Sequence, residues 1–191
     1  MAGLFPFYNI IFCYSGSMIL GILSDTHDKL PTIALAIDFF KHQQVEKVVH
    51  CGDWKSIETL EYFAQLTDKA SLPVMGVLGN NDVDVDGFQA AALNAPSEFV
   101  LTSDILEFDA GGKKCAVYHG HHRPTLTKVV ADQTYDFIFL GHTHKPLITY
   151  ADDKIIVNPG STAFSIPRSK TWQPTVAIVD TNTGSATLHV L

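Results

Sequence analysis

Hydrophobic residues in the first half of the chain alternate between short continuous runs and runs with helical spacing. Met18–Leu23, Val45–His50 and Val74–Leu78 are short apolar runs, which predict buried β-strands. Between them, apolar residues recur every three or four positions. The first such run follows Pro31, which suits a first helical turn, and the second follows Ser56, a residue type that caps helices. The pattern predicts two strand–helix–strand crossovers and therefore parallel strands.

The middle and the end of the chain follow a different pattern. Glu98–Phe108 is predicted to be extended, and Gly111-Gly112 followed by Lys114–Tyr118 predicts a hairpin. A helical pattern returns near Leu126–Ala131, and Tyr135–Leu140 predicts another buried strand. The last predicted strands are short and separated by turn residues: Leu147–Tyr150, Ile155–Val157, Thr175–Val179 and Ala186–Val190. The predicted class is α/β: a two-sheet mixed β-sandwich flanked by helices, parallel near the N-terminus and mostly antiparallel in the C-terminal portion.

Composition narrows the class of protein. A chain of 191 residues with 46% hydrophobic content suits one domain with a sizeable core. A net charge of −7 with only 13 Lys and Arg argues against long nucleic acid as the partner, whereas a small anionic substrate stays compatible with bound metal. The three cysteines include no C-x-x-C pair, so neither a disulfide framework nor a zinc ribbon is expected, and a cytoplasmic location is favoured.

The first 23 residues carry no charged side chain, so a membrane span or an export signal has to be weighed. Residues 18–23 are needed for the first strand, and the remainder is shorter than the roughly 20 apolar residues that a span requires. No Lys or Arg occurs before Lys29, so the basic region of a signal peptide is missing. We therefore expect residues 1–17 to be an appendage, with a natural start near Met18, residues 18–191 to form the domain, and no membrane partner.

Five clusters of ligand-type residues directly follow predicted strands. They are Asp25-Thr26-His27, Gly52-Asp53, Gly79-Asn80-Asn81-Asp82, His119-Gly120-His121 and Gly141-His142-Thr143-His144. Ligands of parallel α/β sheets bind beyond the carboxyl ends of the strands, so the five loops are expected to converge. The mixture of carboxylate, amide and imidazole groups favours Mn²⁺, Fe, Ni²⁺, Co²⁺ or Zn²⁺ over Ca²⁺.

Seven side chains in these clusters suffice for two divalent ions. The predicted metal ligands are Asp25, His27, Asp53, Asn80, His119, His142 and His144. Asp53 can offer two oxygens and is the natural bridge between the ions. Two divalent ions, two carboxylates and a bridging hydroxide leave a net charge of about +1, which attracts phosphate. The clusters therefore predict a phosphoester hydrolase in which the bridging hydroxide is the nucleophile.

The ordered set resembles the calcineurin-like metallophosphoesterase superfamily, whose pattern is D-x-H, G-D, G-N-x-D/E, a later His and G-H-x-H. The D-T-H start and the Asn158-Pro159-Gly160-Ser161 segment are similar to small YfcE-type phosphodiesterases. The resemblance covers about residues 18–190 and implies the four-layer fold of that superfamily. Among the candidate metals, Mn²⁺ is the expected one. The resemblance implies one metal site from Asp25, His27, Asp53 and His144, and a second from Asp53, Asn80, His119 and His142.

The chain departs from the superfamily pattern at one position. Many members place a His directly after the motif Asn as the proton donor to the leaving group, but this chain has Asn81. His121 is the leading substitute, so the expected catalytic residues are Asp53, Asn80 and His121. His50 is expected to support the site from behind. The Asn158–Ser161 segment has two interpretations, a floor of the site or merely a tight turn.

The expected function is a phosphodiesterase that acts on a small phosphodiester, with nucleotides among the candidates. Two alternatives stay open. One is a non-catalytic binding scaffold, because the same fold has that role in the retromer coat. The other is a phosphomonoesterase or nuclease. Loops around the substrate are expected at Asp84–Pro96 and His121–Thr127. The sequence does not identify the substrate or the physiological metal. It also leaves the oligomeric state open, and a homo-oligomer is one possibility.

Overall fold

The computed structural model describes residues 12–14, 16, 18–96, 98–163 and 173–191, the first three by their backbone. Its helices are α1 (Leu30–His42), α2 (Ile57–Ala70), α3 (Val85–Leu93) and α4 (Arg123–Ala131). Its strands are β1 (Phe12–Tyr14), β2 (Ile19–Leu23), β3 (Lys47–His50), β4 (Val74–Val77), β5 (Phe99–Thr102), β6 (Leu106–Ala110), β7 (Lys114–Tyr118), β8 (Phe137–Leu140), β9 (Leu147–Ala151), β10 (Lys154–Asn158), β11 (Thr175–Asp180) and β12 (Ser185–Val190).

The first sheet contains the predicted parallel strands. Its order is β12-β11-β2-β3-β4-β5, and β2 to β5 pair in parallel while β11 is antiparallel to both β2 and β12. Helix α1 has Pro31 in its first turn, and the Ser56 side chain caps α2 by accepting a hydrogen bond from the Thr59 N–H. The two predicted crossovers are confirmed.

The second sheet has the order β1-β6-β7-β8-β10-β9 and is more parallel than the sequence pattern predicts. Strands β6 and β7 form the hairpin, and β9 and β10 are antiparallel, but β8 pairs in parallel with both β7 and β10. The expectation of a mostly antiparallel C-terminal portion is confirmed for β9, β11 and β12, and β8 is the exception. Helix α4 provides the crossover from β7 to β8, and a short apolar run carries no information about strand direction.

The segment Glu98–Phe108 is not one extended unit. Strand β5 lies in the first sheet beside β4, whereas β6 lies in the second sheet beside β7, so the chain changes sheets between Thr102 and Leu106. The polar residues Ser103 and Asp104 lie in this connection between the two sheets.

The expectation of a loop over Asp84–Pro96 is wrong, because Val85–Leu93 forms α3. The Asp84 side chain caps this helix by accepting a hydrogen bond from the Gly87 N–H at 3.1 Å. The only buried residues of α3 are Phe88 and Ala92, so its apolar stripe is too weak to stand out in the sequence. Helix α4 likewise begins at Arg123, inside the other expected loop, His121–Thr127.

Three apolar clusters separate four layers. The largest lies between the sheets and includes Ile22, Val49, Val117 and Phe139. A second packs α1, α2 and α3 on the outer face of the first sheet, and a third, smaller cluster packs α4 on the second sheet. The predicted two-sheet sandwich with helices on both sides is confirmed.

The region around the predicted domain start contributes one strand. Phe12–Tyr14 pairs in parallel with β6 at the edge of the second sheet. Residues 1–11 lie outside the described residues, and an appendage that ends near Met18 stays a prediction. Within the described part of the chain, no helix has both the length and the apolar character needed to cross a bilayer.

Candidate metal centre

The five ligand-type clusters leave strands that are neighbours in the fold. Those after β2, β3 and β4 leave adjacent parallel strands of the first sheet, and those after β7 and β8 leave adjacent parallel strands of the second. Since parallel strands end at the same edge, the loops meet at one end of the sandwich.

Four side chains form a tight group, here called the first group: Asp25, His27, Asp53 and His144. One potential ligand atom from each lies within 4.8 Å of the others. Nε2 of His27 lies 3.3 Å from Nε2 of His144 and 3.6 Å from Asp53 Oδ2. Nε2 of His144 lies 3.0 Å from Asp25 Oδ1. Donor atoms thus surround one small volume.

The second group consists of Asn80, His119 and His142, and it adjoins the first through Asp53. Nε2 of His119 lies 3.3 Å from Asp53 Oδ1 and 3.2 Å from Asn80 Oδ1. Nδ1 of His119 donates to the Cys51 carbonyl at 2.7 Å, which in a neutral ring leaves the Nε2 lone pair directed at the group. The His142 ring lies 5.2 Å from the His119 ring. The seven predicted ligands therefore lie together around Asp53.

Strained backbone accompanies these side chains. Five of the seven have a positive φ, although none is glycine: Asp25 (55°), His27 (40°), Asp53 (61°), His142 (65°) and His144 (57°). Left-handed backbone at such residues costs free energy and is found where surrounding structure and function require it. Sharp turns at the strand ends are what aim these side chains inward.

The glycines of the motifs allow the loops to approach closely. A Cβ on Gly79 would lie 2.2 Å from Asp53 Oδ1. Gly52 has a φ of +95°, and a Cβ there would lie 2.8 Å from His119 Nδ1. Any larger residue at either position would displace a predicted ligand.

Comparison with known proteins identifies the family. The sequence profile of the calcineurin-like phosphoesterase superfamily domain matches residues 18–184. The chain belongs to this superfamily. The resemblance inferred from the motif order is confirmed, and the four-layer architecture agrees with it.

Individual relatives of this superfamily agree with that assignment. A phosphodiesterase of Methanocaldococcus jannaschii is 32% identical over 164 residues, which cover 86% of this chain and 93% of the relative. The structure of an archaeal phosphodiesterase is 30% identical, with a TM-score of 0.79 over 91% of this chain and all of that chain. The E. coli phosphoesterase YfcE has a TM-score of 0.63 at 21% identity, over 91% of this chain and 99% of that one, and shows the shared fold.

Asp53 and His119 shift each other's pKa and so link the two groups electrostatically. Burial alone raises the pKa of Asp53, but the hydrogen bond and charge of His119, together with two Asn81 donors, lower it overall. Burial alone lowers the pKa of His119, but Asp53 raises it overall. Burial lowers the pKa of His27, only partly offset by Asp53, and burial together with His119 lowers that of His142. Asp53 therefore favours its ionised form, and the raised pKa of His119 favours its protonated form more than the lowered pKa values of His27 and His142 favour theirs.

Asn81, which stands where many superfamily members have His, contacts Asp53 directly. Its backbone N–H donates to Asp53 Oδ1 at 2.9 Å, and its side-chain Nδ2 donates to Asp53 Oδ2 at 2.7 Å. Asp82 joins the same loops, because its Oδ2 accepts from the N–H groups of Asp53 and Gly79 at 2.9 and 2.7 Å. These two residues fix the carboxylate that lies between the groups.

His121 lies at the open side of the second group. Its ring is 5.6 Å from the His119 ring and 6.4 Å from the His142 ring, and the residue is exposed. Burial and the neighbouring His119 lower the pKa of His121. The structure therefore places His121 beside the predicted ligands but nearer to solvent.

The Asn158–Ser161 segment does more than turn the chain. Asn158 Nδ2 donates to the Gly141 carbonyl at 2.7 Å and to Thr143 Oγ1 at 3.1 Å. Ser161 Oγ donates to the Asp25 carbonyl at 2.9 Å, and Thr162 Oγ1 donates to the Ser24 carbonyl at 3.1 Å. The segment thus ties the Asp25 loop to the loop of His142 and His144. Of the two interpretations of this segment, the structure supports the floor of the site. Thr162 also supports the site, although its residue type alone does not indicate this.

Proposed function

We propose that the chain is a metal-dependent phosphodiesterase that hydrolyses small phosphodiesters with two divalent cations. The observation that carries the proposal is the placement of one further carboxylate, one amide and four imidazoles around Asp53. The 32% identical phosphodiesterase of M. jannaschii supports the diester rather than the monoester reaction. Because no predicted ligand position holds an unsuitable residue, hydrolysis is favoured over a purely scaffolding role.

The first group has the properties of a cation site. Asp25 Oδ1 is buried, and the only described groups near it are the imidazole nitrogens of His144 at 3.0 Å and His27 at 3.8 Å, neither of which forms a well-directed hydrogen bond to it. A buried carboxylate oxygen left in this way is costly unless a cation neutralises it. The facing Nε2 atoms of His27 and His144, 3.3 Å apart, are also well placed to share one cation. The donor set therefore fits a divalent transition metal.

The proposed sites follow the two groups. Asp25, His27, Asp53 and His144 would hold one cation. Asn80, His119 and His142 would hold the other, with Asp53 available to both groups. When bound, the pair of cations lowers the pKa of water and neutralises charge on the phosphoryl group. Asn81 and Asp82 keep Asp53 oriented between the two groups.

We assign His121 as the residue that donates a proton to the leaving oxygen. It is the exposed imidazole next to the second group, and Asn81 has no dissociable proton to offer. A proton donor matters most when the leaving group is a poor one. In His121→Asn, hydrolysis of an alkyl-leaving diester should fall about 10²-fold, while a nitrophenyl diester should be almost unaffected. Equal losses on both substrates would contradict this role.

Several finer features belong to the same proposal. We propose Mn²⁺ as the working metal, with Ni²⁺, Fe, Co²⁺ and Zn²⁺ as the alternatives that a metal panel separates. A nucleotide diester is the proposed substrate class, and long nucleic acid is disfavoured by the net charge of −7. A cytoplasmic location is consistent with Cys51 and Cys115, which are buried free thiols. A homo-oligomer stays a prediction.

The direct test is turnover of a chromogenic diester and the matching monoester with Mn²⁺. We expect the diester to be cleaved faster and a chelator to abolish the activity. Asp53→Asn removes the shared charge and should lower turnover by about 10²–10³-fold. Asp38→Asn, at an exposed position of α1, is the matched control and should leave turnover unchanged. Absence of turnover across a broad panel of metals and esters would refute the proposal.

A further inference from the structure

The imidazole of His50 lies fully buried behind the metal centre, and the proposed reaction gives it no role. It is the last residue of β3. Its ring stacks on Trp54, with centroids 3.5 Å apart, and meets the edge of Phe63 at 5.8 Å. Phenylalanine would satisfy such packing equally well. The two ring nitrogens therefore need their own explanation.

Both ring nitrogens of His50 are engaged with loops of the metal centre. The backbone N–H of Gly52 donates to Nδ1 at 3.1 Å, so Nδ1 carries no hydrogen. In the neutral ring the hydrogen is then on Nε2, which faces Thr26 Oγ1 at 3.2 Å. His50 thus accepts from one loop and donates to another.

Thr26 extends this connection to the loop of Asp53. Its hydroxyl donates to the Asp53 carbonyl at 3.5 Å, a long contact. The same two loops are joined by backbone bonds, because the N–H groups of Asp25 and His27 donate to the carbonyls of Gly52 and Asp53 at 3.0 and 3.2 Å. Thr26 lies between two predicted ligands, so a shift of Thr26 moves both.

We propose that His50 is a positioning residue that fixes the spacing between the Asp25-Thr26-His27 loop and the Gly52-Asp53 loop. It thereby sets the cation affinity of the first group. This inference rests on the proposed function, because it needs a cation bound by that group. Residues that orient metal ligands through hydrogen bonds typically change metal affinity by about 10–100-fold.

The test uses Co²⁺ alone, without substrate, measured by titration calorimetry and by the visible absorption of the bound ion. The binding step of the first group is the one that Asp25→Asn weakens most. His50→Phe keeps an aromatic ring but removes both hydrogen bonds, so this step should weaken about tenfold and its absorption band should change. Thr26→Val should weaken the same step. The double variant should lose no more than His50→Phe alone, since both changes cut one connection.

Phe63→Leu is the matched control, because it disturbs the same aromatic cluster without touching either loop. It should lower the melting temperature and leave Co²⁺ affinity unchanged. His50→Gln, which keeps a side-chain donor, should restore part of the affinity, and together with Thr26→Val it carries the test if His50→Phe does not fold. Unchanged Co²⁺ binding in these variants, or an equal loss in Phe63→Leu, overturns the role of His50 alone. Failure of the wild-type protein to bind Co²⁺ overturns this role and the proposed function together.

Discussion

The two groups of the metal centre share Asp53 but are held by the fold in different ways. In the first group Asp25 is fully buried, and its loop is tied down by Ser161 and Thr162. Apart from the shared Asp53, the second group has one buried member, His119, while Asn80 and His142 are exposed beside the exposed His121. We infer that the first group is the preformed cation site and that substrate enters over the second.

The first group also carries more negative charge than the second. Asp25 belongs to the first group alone, whereas the second group adds only neutral ligands to the shared Asp53. A cation in the second group would therefore be less fully neutralised and would attract phosphate more strongly. The proposed two-cation site thus predicts that the first group holds its cation more tightly and that the second attracts the substrate.

The largest expected effect comes from removing the charge of Asp25, which belongs to the first group alone. Asp25→Asn should weaken cation binding to the first group by about 10²–10³-fold, because it removes a buried charge that directly faces the ion. Asn80→Ala removes a neutral oxygen and should weaken binding to the second group by only about tenfold. Metal content after gel filtration and titration calorimetry measure both changes. Equal losses would show that the two groups do not differ as the burial suggests.

A change of pH should separate the groups without mutation. Protonated imidazole cannot bind metal, so a raised pKa makes the competing proton effective at higher pH. The pKa of His119 is raised by Asp53 despite its burial, whereas burial lowers that of His27. As pH falls from 8 towards 6, the second group should lose affinity first, by about tenfold per unit once pH is below the pKa of His119.

Metal titrations at several pH values, with the steps identified by the Asp25→Asn and Asn80→Ala variants, measure this order. His119→Asn should flatten the pH dependence of the second step and leave that of the first unchanged. Earlier loss from the first group on acidification would contradict the assignment of His119 to the second.

Much of this comparison can be predicted from residue order, because ligand-type residues at strand ends need only local pattern and the edge rule for parallel sheets. Asp25, Asp53 and Asn80 are found in this way, as are the strands that carry them. Sheet membership of β5 and β6 is not, since Ser103-Asp104 marks a break between the strands but nothing in the local sequence shows that the chain changes sheets there. Helix α3 is missed because it buries so few side chains.

The supporting contacts are the other part that sequence does not specify. Asn81 follows a motif residue, yet its hydrogen bonds to Asp53 depend on how two loops pack. Asn158 is more than one hundred residues from Asp25 in the sequence. The residue types of Asn158–Ser161 fit a simple tight turn as well as they fit a support for the site. Such contacts arise from tertiary packing, which periodicity and motif spacing do not encode.

The smallest expected effect concerns Asn158, which supports a loop common to both groups. Its side chain bonds Gly141 and Thr143, on either side of His142 and before His144. Asn158→Ala should leave buried polar groups unsatisfied and lower the free energy of unfolding by about 1–3 kcal/mol. Because one loop carries a predicted ligand of each group, His142 and His144, both cation-binding steps should weaken by a similar factor. Urea denaturation and metal titration measure these effects, with Asn182→Ala in an exposed turn as the control. Weakening confined to one step would show that His142 and His144 are positioned independently.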